Sequence, residues 1–255
     1  MTQAIDIQKA QYPDLRNRRV VIAGGTGDVG EGVVRAWLKT GAHVIVPSRT
    51  ESKIEEFRRE LSDLDQFERL AFVTGRYSRF DEAQDTAERI TSEFGDVTDV
   101  VASMGSWWQG KPLWEVTEEE WQQYFVDVSA AHFATARAWV PRLPKTGSYQ
   151  LILGGSALMP VPSASIISMQ QASLLMMRRV LSTEVGEQAR IAAQVLGPVI
   201  TRARERYEPD WVSNYEVGLV SVGIAANTDA TGQDYVSYDK SEMLATLQKL
   251  RIYPT

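Results

Sequence analysis

Short apolar runs that end in glycine alternate along this chain with stretches whose apolar residues recur every three or four positions. Arg19–Ala23 is a β-branched run closed by glycines, which predicts a buried strand. Residues 31–40 place Val33, Val34, Trp37 and Leu38 on one helical face, with Gly41 as the stop. The same alternation predicts strands at 43–46, 70–74, 99–102, 149–153, 191–196 and 234–238. It predicts helices at 52–61, 81–94, 165–185 and 217–226. Thr117 and Glu120 form the capping-box pattern that opens one long helix reaching about Val140. Strands alternating with helices call for a parallel sheet covered on both faces. The expected fold is therefore α/β: a doubly wound, Rossmann-type sheet of about seven strands. No composition break marks a linker, so 1–255 reads as a single domain, with 1–18 as a lead-in segment and 241–255 as a short added helix and tail.

Composition narrows the function classes more than it names one. Of the 255 residues, 44% are hydrophobic and 24% charged, which are ordinary globular values. The formal net charge of −6 argues against a broad nucleic-acid surface. The chain has no run of 18 apolar residues and its start is polar, which fits a cytoplasmic protein away from membranes. Cysteine is absent, and the only histidines are His43 and His132, so no cysteine- or histidine-rich metal site is expected.

Gly24, Gly25, Thr26, Gly27, Asp28, Val29 and Gly30 follow the first strand and open the first helix. Glycines there allow a tight turn and close backbone approach, and the helix N-terminus attracts a phosphate. Asp28 is the discordant member, a carboxylate beside the expected phosphate. The second strand runs out into Pro47, Ser48 and Arg49. An NAD site usually places an acid here for the ribose 2′-hydroxyl. Ser48 and Arg49 instead suit a 2′-phosphate, which arginine grips through paired hydrogen bonds, so the cofactor expected is NADP(H).

Along nearly its whole length the chain resembles the short-chain dehydrogenase/reductase family. Besides the glycine loop, Gly41-Ala42-His43-Val44 resembles the entrance to the family's second strand. Ala102-Ser103-Met104-Gly105 stands where the family has Asn-Asn-Ala-Gly, and 117–121 resembles the opening of its interface helix. Gly197 and Thr201 match the family's glycine and threonine after strand six, where the threonine meets the nicotinamide carboxamide, and Thr231-Gly232-Gln233 resembles the turn before the last strand. The resemblance implies NADP(H) bound by the loop together with Ser48, Arg49, Ala102, Gly105 and Thr201. It also implies a homodimer or homotetramer built on the two long helices. Carried over position by position, the family's catalytic serine is Ser156, its tyrosine falls on Met169, its lysine on Ser173 and its asparagine on Ser129. Arg76 stands in place of an acid beside adenine. Methionine donates no proton and serine carries no charge, so the active site reads as altered.

The residues expected to line the substrate cleft are apolar or aromatic: Met104, Trp107, Trp108, Met159, Met169, Tyr207 and Trp211. Such surfaces suit an apolar or aromatic small molecule. In the family the segment after Thr201, which carries Tyr207 and Tyr215, forms a substrate lid. Arg178 and Arg179 stand on the same helix as Ser173, with Arg178 turned about 140° from it. His132 reads as a packed or interface histidine. Three functions fit: an oxidoreductase with an altered site, a non-catalytic nucleotide or ligand sensor, and a repurposed lyase, isomerase or cyclase.

Overall fold

The computed structural model describes residues 5–64 and 67–254; residues 1–4 of the lead-in segment and Thr255 of the tail lie outside them. Strands β1 (Arg19–Ala23), β2 (His43–Ser48), β3 (Leu70–Thr74), β4 (Asp99–Ala102), β5 (Ser148–Gly154) and β6 (Arg190–Leu196) are joined by a last strand, Asp234–Ser237, in one seven-stranded sheet. Every pairing in it is parallel. Two short strands precede that last one in the chain, β7 (Val199–Ile200) and β8 (Val212–Ser213), so Asp234–Ser237 is β9. The sheet order is β3-β2-β1-β4-β5-β6-β9.

Among the described residues eight α-helices accompany the strands, the last of them after β9: α1 (Asp28–Lys39), α2 (Glu51–Glu60), α3 (Phe80–Phe94), α4 (Glu118–Trp121), α5 (Asp127–Trp139), α6 (Ser165–Glu184), α7 (Asn214–Ala226) and α8 (Lys240–Lys249). Alternate residues of β1 feed opposite faces. Val20 and Ile22 pack with α1, α2, α7 and α8, whereas Val21 and Ala23 pack with α3, α5 and α6. This is the double cover that a parallel sheet needs, since both of its faces are apolar. Trp37 of α1 is fully buried and its indole nitrogen donates to Ser221 Oγ at 2.9 Å, which pins α1 to α7. Burying such a side chain is worth roughly 2–3 kcal/mol.

Three helical segments differ from the sequence pattern by more than a residue. α1 starts at Asp28, not at residue 31, because the glycine loop runs straight into helical backbone. The single helix expected over 117–140 has the capping box of Thr117 and Glu120, but a π-turn over Gln122–Val126 separates α4 from α5. α7 starts at Asn214 on a second capping box, made by Ser213 and Glu216.

Candidate active site

All seven strands of the main sheet are parallel, so their carboxyl ends lie along one edge. That edge gathers the loop after β1, Ser48 and Arg49 after β2, 102–105 after β4, Ser156 after β5 and Thr201 after β6 and β7. The strand order reverses between β1 and β4, which opens the crevice where such folds take ligands.

Gly24 holds a φ of +83°, and an added Cβ there would lie 2.7 Å from the Ser103 carbonyl carbon. Gly30 is equally confined: a Cβ on it would sit 2.8 Å from Gly25 Cα. The N-cap of α1 is Gly27, with no side-chain cap. The first N–H groups of the helix are therefore left for an anion, an arrangement that fits a dinucleotide pyrophosphate. The carboxylate of Asp28 faces Arg202, whose guanidinium lies 3.6 Å away. The same guanidinium reaches Glu31 at 3.0 Å and also pairs with Glu60. Glu31 is buried and shared with Arg35 at 2.9 Å, and Arg35 continues to Asp63 at 2.8 Å. Arg202, next to the half-buried Thr201, thus offsets the acids at the start of α1. Sequence reading missed it because its partners are far away in the chain.

Arg202 belongs to a loop, Thr201–Trp211, whose ends are tied by the β7–β8 pairing, with Val199 opposite Val212 and Ile200 opposite Ser213. Tyr207 is exposed within this loop. Tyr215 is not part of it: it lies in the first turn of α7, beside Arg35 of α1. Trp211 is half-buried, with the Arg204 guanidinium 5.1 Å from its ring centre.

At the end of β2, Ser48 is buried and its carbonyl accepts the Gly75 N–H at 2.8 Å. This bond sets the end of β2 beside the end of β3. Arg49 and Arg76 leave those two ends exposed, and among the described residues neither makes an ion pair.

After β4, the Ser103 N–H donates to the Ala23 carbonyl at 2.8 Å, joining this turn to the glycine loop just beyond Ala102. His132 of α5 is fully buried, and its Nε2 lies 2.8 Å from the Met104 carbonyl. Nε2 therefore carries the hydrogen, and Nδ1 is left without a partner. Burial pulls the His132 pKa down to about 4, so the ring is neutral near pH 7 and holds the turn ahead of Gly105 (φ +145°).

Ser156 lies in the turn after β5, 7% exposed, with its Oγ unpartnered. Ser129 Oγ is also buried and unpartnered. Met169 and Ser173 fall on the outer side of α6; Met169 is 43% exposed, and Ser173 Oγ donates to the Gln170 carbonyl at 2.7 Å. Arg178 and Arg179 are both engaged by Asp234 of β9, at 2.5 and 3.1 Å. The loop after β4 is bonded to the approach to α6: the Gly110 N–H donates to the Ser163 carbonyl at 2.9 Å, and Gln109 Nε2 donates to the Pro162 carbonyl at 3.0 Å. Exposed Trp107 stands on the first of these segments, and exposed Met159 near the second. Trp108 is half-buried and packs on Tyr124, with ring centres 6.2 Å apart.

The family model for short chain dehydrogenases matches residues 18–210. The chain belongs to the short-chain dehydrogenase/reductase family. It is 26% identical over 234 residues to the uncharacterized oxidoreductase YvrD of Bacillus subtilis strain 168, covering 90% of this chain and 83% of that one. It is 27% identical over 211 residues to a D-xylose 1-dehydrogenase of Caulobacter vibrioides, covering 80% of this chain and 81% of that one. Among solved structures, a short-chain oxidoreductase of Pseudomonas aeruginosa PAO1, described as containing an atypical catalytic center, superposes with a TM-score of 0.77. It is 18% identical, over 88% of this chain and 97% of that one. Short-chain dehydrogenases bind a nicotinamide nucleotide, NAD or NADP. The glycine loop, the uncapped start of α1 and the offset acids beside it fit that group. No helix among the described residues is long and apolar enough to cross a membrane.

Proposed function

We propose that this short-chain dehydrogenase is an NADP(H)-dependent oxidoreductase with an altered active site, acting on an apolar or aromatic small molecule. The observation that carries the cofactor choice is the pair Arg49 and Arg76: two exposed cations at adjacent strand ends, without ion-pair partners among the described residues. A 2′-phosphate is an anion that such a pair would grip through charge-assisted hydrogen bonds. A bound nicotinamide would bring hydride-transfer chemistry. The chain's own part is to hold the phosphates at Gly24–Gly30, the 2′-phosphate at Ser48 and Arg49, and the nicotinamide carboxamide at Thr201. Ala102 and Gly105 leave room for the nucleotide along β4. Ser156 would hold the substrate oxygen, with Met104, Trp107, Trp108, Met159, Met169, Tyr207 and Trp211 around the substrate.

The exposed Phe133 of α5, with Met176 and Val180 of α6, supports a homodimer or homotetramer built through these helices, because apolar helix faces need cover. A cytoplasmic location accords with the absence of cysteine.

The test is calorimetric titration with NADPH and NADH, followed by NADPH consumption on a panel of aromatic ketones, aldehydes and enones. NADPH should bind more tightly. Arg49→Ala should weaken NADPH by about 10- to 100-fold and leave NADH unchanged, since a charge-assisted contact is worth about 1.5–3 kcal/mol. Equal affinity for the two nucleotides in the natural chain would defeat the assignment of Arg49.

A further inference from the structure

The inward stripe of α6 is Ile166, Ile167, Gln170, Leu174, Leu175 and Arg178, and Gln170 is its one amide, 1% exposed. A buried glutamine has two donor hydrogens and an acceptor oxygen to satisfy. The structure satisfies only the oxygen. The Gly154 N–H donates to Gln171 Oε1 at 2.8 Å. A backbone N–H can only donate, so this bond fixes which end of the Gln171 amide is oxygen. Gln171 Nε2 then donates to Gln170 Oε1 at 2.8 Å, which fixes the second amide in turn. What remains is Gln170 Nε2, buried and without a partner.

The other end of this chain is anchored beside the active-site serine. A Cβ built on Gly154 would lie 3.5 Å from Ser156 Oγ and 4.0 Å from Gln171 Oε1, so hydroxyl and amide chain meet around one α-carbon. Ser156 Oγ is itself buried and unpartnered. Leaving a buried donor unmade is costly, and both ends of this run are unmade: Ser156 Oγ beside Gly154, and Gln170 Nε2 two hydrogen bonds along the amide chain from it. Neither donor is charged, and the nearby cations Arg178 and Arg179 are held by Asp234.

We propose that Gln170 is a substrate-binding residue: its Nε2 and Ser156 Oγ donate together to the uncharged carbonyl oxygen of an aldehyde, ketone or enone. Gln171 is a positioning residue that turns the Gln170 amide toward that oxygen. This rests on reading the cleft beside Ser156 as the substrate site.

The probe is benzaldehyde labelled with carbon-13 at the carbonyl, bound to the natural chain with NADP+ so that no turnover occurs. Calorimetry gives its affinity and difference infrared spectroscopy gives its carbonyl stretch. Gln170→Met keeps the bulk and removes the donor. It should weaken the aldehyde about 3- to 10-fold, the range of one neutral hydrogen bond, and raise the stretch, with NADP+ affinity unchanged. Gln170→Glu should bind poorly as a carboxylate and recover at acid pH once a carboxylic O–H can donate. A purely structural glutamine gives no such recovery, and this variant decides the matter should Gln170→Met fail to fold. Unchanged affinity and stretch in Gln170→Met overturn the role of Gln170 alone. Failure of the natural chain to bind the aldehyde with NADP+ in place overturns the substrate site as well.

Discussion

Adding a single methyl group to each of three glycines separates the forces that shape the nucleotide loop. At Gly24 the methyl meets two obstacles. The backbone φ of +83° is unfavourable for alanine, and the new Cβ falls inside contact distance of the Ser103 carbonyl, 2.7 Å from its carbon. A left-handed alanine costs about 1–2 kcal/mol. Overpacking against a rigid neighbour costs about 1–3 kcal/mol. Gly24→Ala should therefore lose roughly 2–5 kcal/mol, or about 4–20 °C in Tm for a chain of this size. At Gly30 only the steric cost applies: Cβ would lie 2.8 Å from Gly25 Cα, within a helix that tolerates alanine. At Gly186 only the backbone cost applies, because φ is +55° and nothing lies within 4 Å of the added Cβ. Alanine there also restricts the unfolded chain, which returns about 0.4–1 kcal/mol. The expected order of loss is Gly24 above Gly30 above Gly186, with Gly186→Ala within about 1 kcal/mol of the natural chain. Urea unfolding followed by circular dichroism measures it. NADPH titration adds a second axis: the Gly24 and Gly30 variants should bind at least about ten times more weakly, as the loop must open, whereas Gly186→Ala should bind normally. A Gly24→Ala protein as stable as Gly186→Ala would refute the close approach of the glycine loop to the Ser103 turn.

Other perturbations test other parts of the site. His132 has its pKa lowered from 6.5 to about 4 by burial, so the unfolded chain binds more protons between those values. Its contribution, about 3 kcal/mol by linkage, is complete above pH 6.5 and lost as pH falls toward 4. His132→Phe should flatten the urea midpoint across that window, and an unchanged slope would show that another group causes it. Arg202→Met removes the cation shared by Asp28, Glu31 and Glu60 and should loosen the Thr201–Trp211 loop. Faster tryptic cleavage at Arg204 and Arg206 is the expected sign, and an unaltered digestion rate would count against the ion-pair latch. Light scattering at micromolar concentration should give a dimer or tetramer, and Phe133→Lys with Met176→Lys should shift it toward monomer.

What could be read from the sequence follows from what each signal depends on. β1, β3 and β4 begin and end where the pattern placed them, with β4 and all of β1 past Arg19 buried and β3 half-buried at the sheet edge. β2 continues two residues past the expected stop, through Pro47 to Ser48. Proline reads as a strand breaker, but the β1 pairing ends at Ile45, so Pro47 lies where no β1 carbonyl waits for its missing N–H. The π-turn before α5 leaves the apolar spacing almost unchanged and gave no warning. The gathering of site segments was readable because a parallel sheet brings its carboxyl ends to one edge whatever its side chains. The ion pairs of Arg202 and the amide chain through Gln171 were not, because each joins elements remote in sequence through side-chain geometry alone. The Ser213–Glu216 capping box carried the same signal as Thr117–Glu120 and marks the start of α7 in the sequence itself.

Under the proposed reading of Ser156 as the group that holds the substrate oxygen, the residues available narrow the chemistry. Between Lys145 and Lys240 the chain has no lysine, and between Tyr149 and Tyr207 no tyrosine. His132 is neutral, enclosed and turned to a backbone carbonyl, so it has no free proton to offer substrate near pH 7. Loss of a positioned general acid removes about 10²–10⁴ in rate from a reaction that depends on it. Hydrogen bonds from Ser156 and Gln170 would polarise a carbonyl without transferring a proton, so they return part of that factor only where the acceptor is already electron-poor. An enone meets this condition, since hydride addition at its β-carbon leaves an enolate that spreads the developing charge and water can protonate the product afterwards. A simple dialkyl ketone does not, because its alkoxide needs a proton as it forms. Trp107, Trp108 and Met159, in the proposed substrate cleft, would favour the same flat, conjugated molecules through contact area. On the proposed reading, reactivity and recognition favour the same substrate class, and substituting an aliphatic ketone for an aromatic enone should cost this protein more in kcat than in KM.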